Sequence, residues 1–120
     1  MDVTPSPLER ASALDAACYT DPALYQFELS TIFGRSWQLV GASEFVAGVG
    51  DVLVRDIGGV PILLVREASG ELKGFYNICA HRAGPIATCD QKSQKRLRCA
   101  YHGWVYDLSG QLVSAREMED

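Results

Sequence analysis

From residue 37 onward the hydrophobic pattern changes to short apolar runs bounded by turn residues, the pattern of strands. The pattern predicts strands over 51–57, 60–66 and 72–77, rich in Val, Ile, Leu and aromatic residues, and a less regular one over 37–42. Gly58-Gly59 joins the first two of these through two residues, as a tight hairpin requires, and Ser69-Gly70 makes a second turn. Gly48 and Gly50 shape the loop before residue 51. Two later strands, 101–107 and 111–113, flank a further hairpin at Ser109-Gly110.

Before residue 37 the period changes. Asp21 is a good helix cap and Pro22 suits the first helical position. Leu24, Phe27, Leu29, Ile32 and Phe33 then form an uneven apolar face that ends at Gly34. A shorter helix is expected over 8–17, and the stretch before it, with Pro5 and Pro7, reads as a frayed terminus. The organisation is a tail and helical segment over 1–36 and an antiparallel β sandwich or barrel over 37–120, with loops gathered at one end.

At 120 residues the chain suits one domain with a modest core. A net charge of −4 gives no bulk attraction to nucleic acid or to a membrane surface. No apolar run has the length of a signal peptide core or a membrane span, so a cytoplasmic protein is expected. The four cysteines fit a reducing compartment: Cys18 and Cys89 read as spare thiols, while the other two have partners in the sequence.

Those partners are the only two histidines. Cys79-Ala80-His81 and Cys99-Ala100-Tyr101-His102 each pair a thiolate with an imidazole, and residues 82–98 can loop the two arms together. Two Cys on one iron and two His on the other define a Rieske [2Fe–2S] centre. Cys79 and Cys99 would hold one iron, and His81 and His102 the other. A structural zinc ion also accepts Cys2His2, but its arms are usually like pairs with wider spacing. A chelate of one intervening residue is awkward on a single tetrahedral ion and easy across two neighbouring irons. A zinc-stabilised module without redox chemistry is the competing reading.

C-x-H-x17-C-x-x-H followed by Gly103-Trp104, with GFYNICAHRAG, CAYHGWVYDLSGQL and the upstream YTDPALYQFELSTIFGRSWQLVG, resembles the Rieske domain at the N-terminus of ring-hydroxylating (Rieske non-haem iron) oxygenase alpha subunits. The resemblance implies one low-potential [2Fe–2S] cluster in a Rieske-type β fold, with Arg82, Tyr101 and Trp104 packing around it. High-potential relatives add a disulfide between the loops, at positions that here are Gly84 and Tyr101. This chain departs from the family in Ala80, where a larger residue is common, and in Ala83, where Gly usually follows His-Arg.

The resemblance also implies partners. Electrons arrive from a ferredoxin or a flavin/iron–sulfur reductase, and Lys92, Lys95 and Arg96 between the arms are candidates for docking an acidic donor. They leave for an oxygenase catalytic domain, whose mononuclear Fe(II) needs two His and a carboxylate. With both His committed, this chain is expected to lack that site and to be an electron-transfer component of a dioxygenase or monooxygenase, forming trimers when full length. A free-standing Rieske-type ferredoxin is the alternative, although such ferredoxins start close to their first strand.

Overall fold

A computed structural model describes residues 7–115, so the expectations for residues 1–6 and 116–120 lie outside the described residues. Two compact units divide at Ser36 and Trp37.

The N-terminal unit is helical. Helix α1 (Ala17–Thr20) leads to α2 (Pro22–Glu28), which continues through a π-helical turn, Leu29–Phe33, to Gly34. The expected cap is made: Asp21 Oδ1 accepts the Ala23 amide at 2.8 Å, with Pro22 at the helix start. The helix expected over 8–17 does not form. Only a 3-10 turn, Leu8–Arg10, and the start of α1 are helical there, and no residue of either is buried. A short helix without a face to bury has little to hold it.

The second unit carries two three-stranded antiparallel sheets. In the first, β1 (Val52–Ile57), β2 (Val60–Arg66) and β3 (Leu72–Tyr76) pair in sequence order. The second orders β4 (Leu97–Arg98), β5 (Val105–Tyr106) and β6 (Leu112–Ser114) in the same way. Alternation sets the register: Leu63 and Val65 of β2 are buried, and Val52 pairs with Val65. Gly58 and Gly59 both adopt positive φ, as a tight hairpin of the expected kind demands.

Two strand expectations are corrected. Residues 37–42 form no strand, and Trp37 is fully exposed, because a strand persists only within a ladder and none is supplied among the described residues. The strand expected over 101–107 shrinks to Val105–Tyr106, since Tyr101 to Gly103 turn back so that the Cys99 amide can bond the Trp104 carbonyl at 2.9 Å. Among the described residues no helix is long and apolar enough to cross a membrane.

The core runs into the loops. Val52, Leu63, Val65, Ile86, Leu97 and Leu108 share one hydrophobic cluster with Cys79, Cys99 and Trp104. The long loop between the arms is fastened to this core. Val52 and Gln91 exchange both backbone bonds (2.9 and 3.0 Å), and the Gln94 amide reaches the Gly50 carbonyl at 2.9 Å. Asp51, 6% exposed, takes the Lys92 ammonium at 2.9 Å and the amides of Gly48 and Ser93. The Lys92 bond, and then the Gly48 amide, hold its carboxyl below the usual carboxylate range.

Candidate metal centre

The two arms leave adjacent strand ends. The first follows β3 and closes on itself: the Cys79 amide bonds the Gly84 carbonyl at 2.7 Å, and the Ala83 amide returns to the Cys79 carbonyl at 3.0 Å. The second is the turn between β4 and β5, closed by the Gly103 amide on the Cys99 carbonyl at 3.0 Å. Gly84 lies where the arms meet. A Cβ there would come within 3.3 Å of the Tyr101 side chain and 3.8 Å of Cys99 Sγ, so glycine sets the approach.

The four sequence-selected donors meet as like pairs. Cys79 and Cys99 are both 2% exposed, and the Cys99 thiol is a hydrogen-bond partner of Cys79. The imidazoles of His81 and His102 are half-buried, edge to face, with ring centroids 4.6 Å apart. Among the described residues no three His, Cys, Asp or Glu side chains gather as one metal ion would require. A pair of buried thiols beside a pair of half-buried imidazoles suits two neighbouring irons of different ligation, so the residues fit a [2Fe–2S] centre.

Around the donors, Trp104 stacks on His81 at 4.8 Å and 12°, and exposed Tyr101 lies over His102 at 3.8 Å. The Arg82 side chain is exposed, but its backbone amide bonds the Cys79 sulfur. Lys92 is tied into the Asp51 pair and also bonds the Phe45 carbonyl at 2.6 Å, whereas Lys95 and Arg96 are exposed. Those two sit just before β4, at the opposite end of that strand from Cys99, with Arg96 close enough to act on the Asp107 charge.

One residue escaped the sequence reading. The Tyr106 hydroxyl stands 3.2 Å from Cys79 Sγ and accepts the Ala80 amide at 3.1 Å. Burial pushes the Cys79 pKa up, but bonds from Tyr106, the His81 amide, Cys99 and the Arg82 amide outweigh it, and the thiol ionises below its ordinary value. Burial, then the contact with Cys79, raises the Tyr106 phenol. A Cys79 sulfur held by iron as a thiolate would have no proton to give, so the Tyr106 hydroxyl would be the donor. Donors to cluster sulfurs favour the more negative, reduced state. Tyr106→Phe is expected to lower the midpoint potential by on the order of 50 mV, one hydrogen bond to a charged acceptor converted at 59 mV per tenfold. A potentiometric titration checks this, and an unchanged midpoint would remove Tyr106 from the account.

Ala83, where the family usually has Gly, sits at φ 54. The left-handed conformation costs a residue with a Cβ about 1–2 kcal/mol, part of which returns through the stiffer unfolded chain. Ala83→Gly is expected to stabilise the protein by about 0.5–1 kcal/mol. A lower thermal midpoint for the variant would contradict this reading.

Comparison with known proteins gives the family of the chain. The sequence model of the Rieske [2Fe-2S] domain matches residues 36–120. The biphenyl 2,3-dioxygenase alpha subunit of Rhodococcus jostii (strain RHA1) is 44% identical over 106 residues, which span 88% of this chain and 23% of that subunit. Choline monooxygenase of Arabidopsis thaliana is 39% identical over 112 residues, 93% of this chain and 26% of that protein. The chain thus spans about a quarter of the length of the curated relatives it matches. Among solved structures, naphthalene 1,2-dioxygenase from Rhodococcus sp. bound to indole superimposes with a TM-score of 0.80 at 31% identity, over 87% of this chain and 24% of that one. The quaternary ammonium Rieske monooxygenase CntA does so with a TM-score of 0.78 at 30% identity, over 85% and 29%.

Proposed function

Since the chain belongs to the Rieske [2Fe-2S] domain family, with the oxygenase alpha subunits as relatives, we propose that it is the electron-relay domain of such an oxygenase, with a tail and helical segment assigned to 1–36 and the Rieske domain to 37–120. Cys79 and Cys99 hold one iron, and His81 and His102 the other. The observation that carries this is the pairing by kind, thiol with thiol inside the core and imidazole with imidazole toward the surface. The bound cluster takes up and releases one electron at a time.

The protein supplies the rest. Buried Cys79 and Cys99 keep water from the sulfur side, while Tyr106 and the amides of His81 and Arg82 stabilise negative charge there. Trp104 and Tyr101 brace the two imidazoles. The half-buried His pair is the side from which an electron leaves most directly, toward a mononuclear iron in a catalytic domain. Inter-subunit electron transfer, named for a quaternary ammonium Rieske monooxygenase, fits a full-length form that associates with copies of itself, as a trimer. The many matching oxygenase subunits favour this over a free-standing ferredoxin.

The donor is a ferredoxin or reductase with an acidic face, met by Lys95 and Arg96. Lys92 contributes less, because its ammonium already serves Asp51. Reversing both charges, Lys95→Glu with Arg96→Glu, should slow reduction by an acidic ferredoxin about tenfold at low ionic strength and flatten the salt dependence. Stopped-flow reduction across a salt series reads both. A variant reduced at the wild-type rate in low salt would place the donor elsewhere.

A further inference from the structure

Asn77 has a buried carboxamide that the electron-relay reading does not use. It ends the run of β3, 5% exposed, two residues before Cys79. Its Oδ1 accepts two amides, Ile86 at 2.9 Å and Ala87 at 3.0 Å. Its Nδ2 donates to the Ala87 carbonyl at 2.7 Å. The chain leaves at Asn77, builds the arm that carries Cys79 and His81, and returns at Ile86 and Ala87 into the grip of the same side chain. From these contacts we infer that Asn77 is the positioning residue of the first ligand arm, clasping its two ends so that Cys79 and His81 are presented at fixed spacing.

Three features support a role beyond filling space. All three bonds go to backbone atoms at the return point, so they fix where the arm closes and not how a side chain packs. The backbone of residue 77 is held independently, its amide on the Pro61 carbonyl at 2.9 Å, so the end of β3 outlasts loss of the carboxamide. The arm also contains Ala83 at φ 54, a conformation that relaxes unless its surroundings hold it. No shorter or apolar side chain can serve both amides and the carbonyl. Aspartate keeps the oxygen that takes the amides and loses the donor.

The inference rests on Cys79 and His81 being cluster ligands, and the test separates the two. Wild type, Asn77→Ala, Asn77→Asp and Leu53→Ala are purified anaerobically with the cluster in place. Leu53 is 1% exposed and lies outside the hydrophobic cluster shared by the thiols, so Leu53→Ala destabilises the fold away from the arms. Iron release to a chelator and the low-temperature EPR of the reduced protein are then compared. Outer partners of metal ligands are typically worth 10- to 100-fold in metal affinity, so Asn77→Ala should release iron about 10- to 100-fold faster and shift or broaden the EPR lines. Asn77→Asp should fall between it and wild type, while Leu53→Ala keeps wild-type lines. If Asn77→Ala keeps wild-type lines and loses iron no faster than Leu53→Ala, Asn77 is merely structural and the inference is overturned. A wild type without a cluster signal would overturn the functional reading, and this inference with it.

Discussion

Cys99→Ala is expected to leave the protein unable to hold its cluster. In the proposed assignment Cys99 supplies one of two thiolates to the sulfur-ligated iron, with Cys79 beside it as the other, while Cys18 and Cys89 belong to other parts of the chain. The side chain also belongs to the core, packed with Cys79, Trp104 and Leu97 in one hydrophobic cluster, so the loss opens the sheets as well as the site. Because metal-binding free energy is folding free energy in small metal domains, the variant should be colourless and its thermal midpoint should fall markedly. Cys89→Ala, at an exposed free thiol, should keep both colour and midpoint. Iron and sulfide content with the visible spectrum decides it. A Cys99→Ala protein with the full wild-type spectrum would refute the ligand assignment.

Gly50→Ala should cost more stability than the same substitution at the turn glycines Gly59 and Gly70. Gly50 has φ +80, and a Cβ there would stand 2.1 Å from the Gln94 carbonyl oxygen and 2.6 Å from its nitrogen. Both obstacles are backbone, so no rotamer relieves them. Left-handed strain of about 1–2 kcal/mol and a forced backbone shift of comparable size sum to about 3 kcal/mol or more. For a domain of this size that corresponds to a midpoint about 15 °C lower. Gly59→Ala and Gly70→Ala share the positive φ but meet nothing within 4 Å, so each should cost only about 1–2 kcal/mol. Equal losses at all three positions would mean that the contact between Gly50 and Gln94 does not hold the long loop.

What the sequence disclosed and what it concealed follows a physical line. Runs rich in β-branched and aromatic residues and the turn glycines between them are local signals, and they placed β1, β2 and β3 within a residue of their ends. The ligand arms were legible for the same reason, since each packs its chemistry into four residues or fewer. Contacts over long separations were not. Lys92 read as a loop cation, yet it pairs with Asp51, 41 residues away. Tyr106 read as another strand aromatic. Only the turn that brings β5 back beside β4 carries its hydroxyl to Cys79, 27 positions earlier. Asn77 likewise reads as a strand-end residue until the chain returns at Ala87. The segment 37–42 has the composition of a strand, but composition supplies no partner strand.

The donor geometry also bears on subfamily. Gly84 faces Tyr101 across the gap between the arms, where high-potential relatives place a disulfide, and neither residue can form one. Tyr101 instead lies close against Gly84 across that gap.

The most direct test of the account is the visible absorption and low-temperature EPR of anaerobically purified protein before and after dithionite, with iron and zinc determined on the same sample. A red-brown protein with about two irons per chain, whose reduced form gives a rhombic signal of low average g, is the predicted result. A colourless protein with about one zinc per chain and no signal on reduction would contradict it, and would make the chain a structural module.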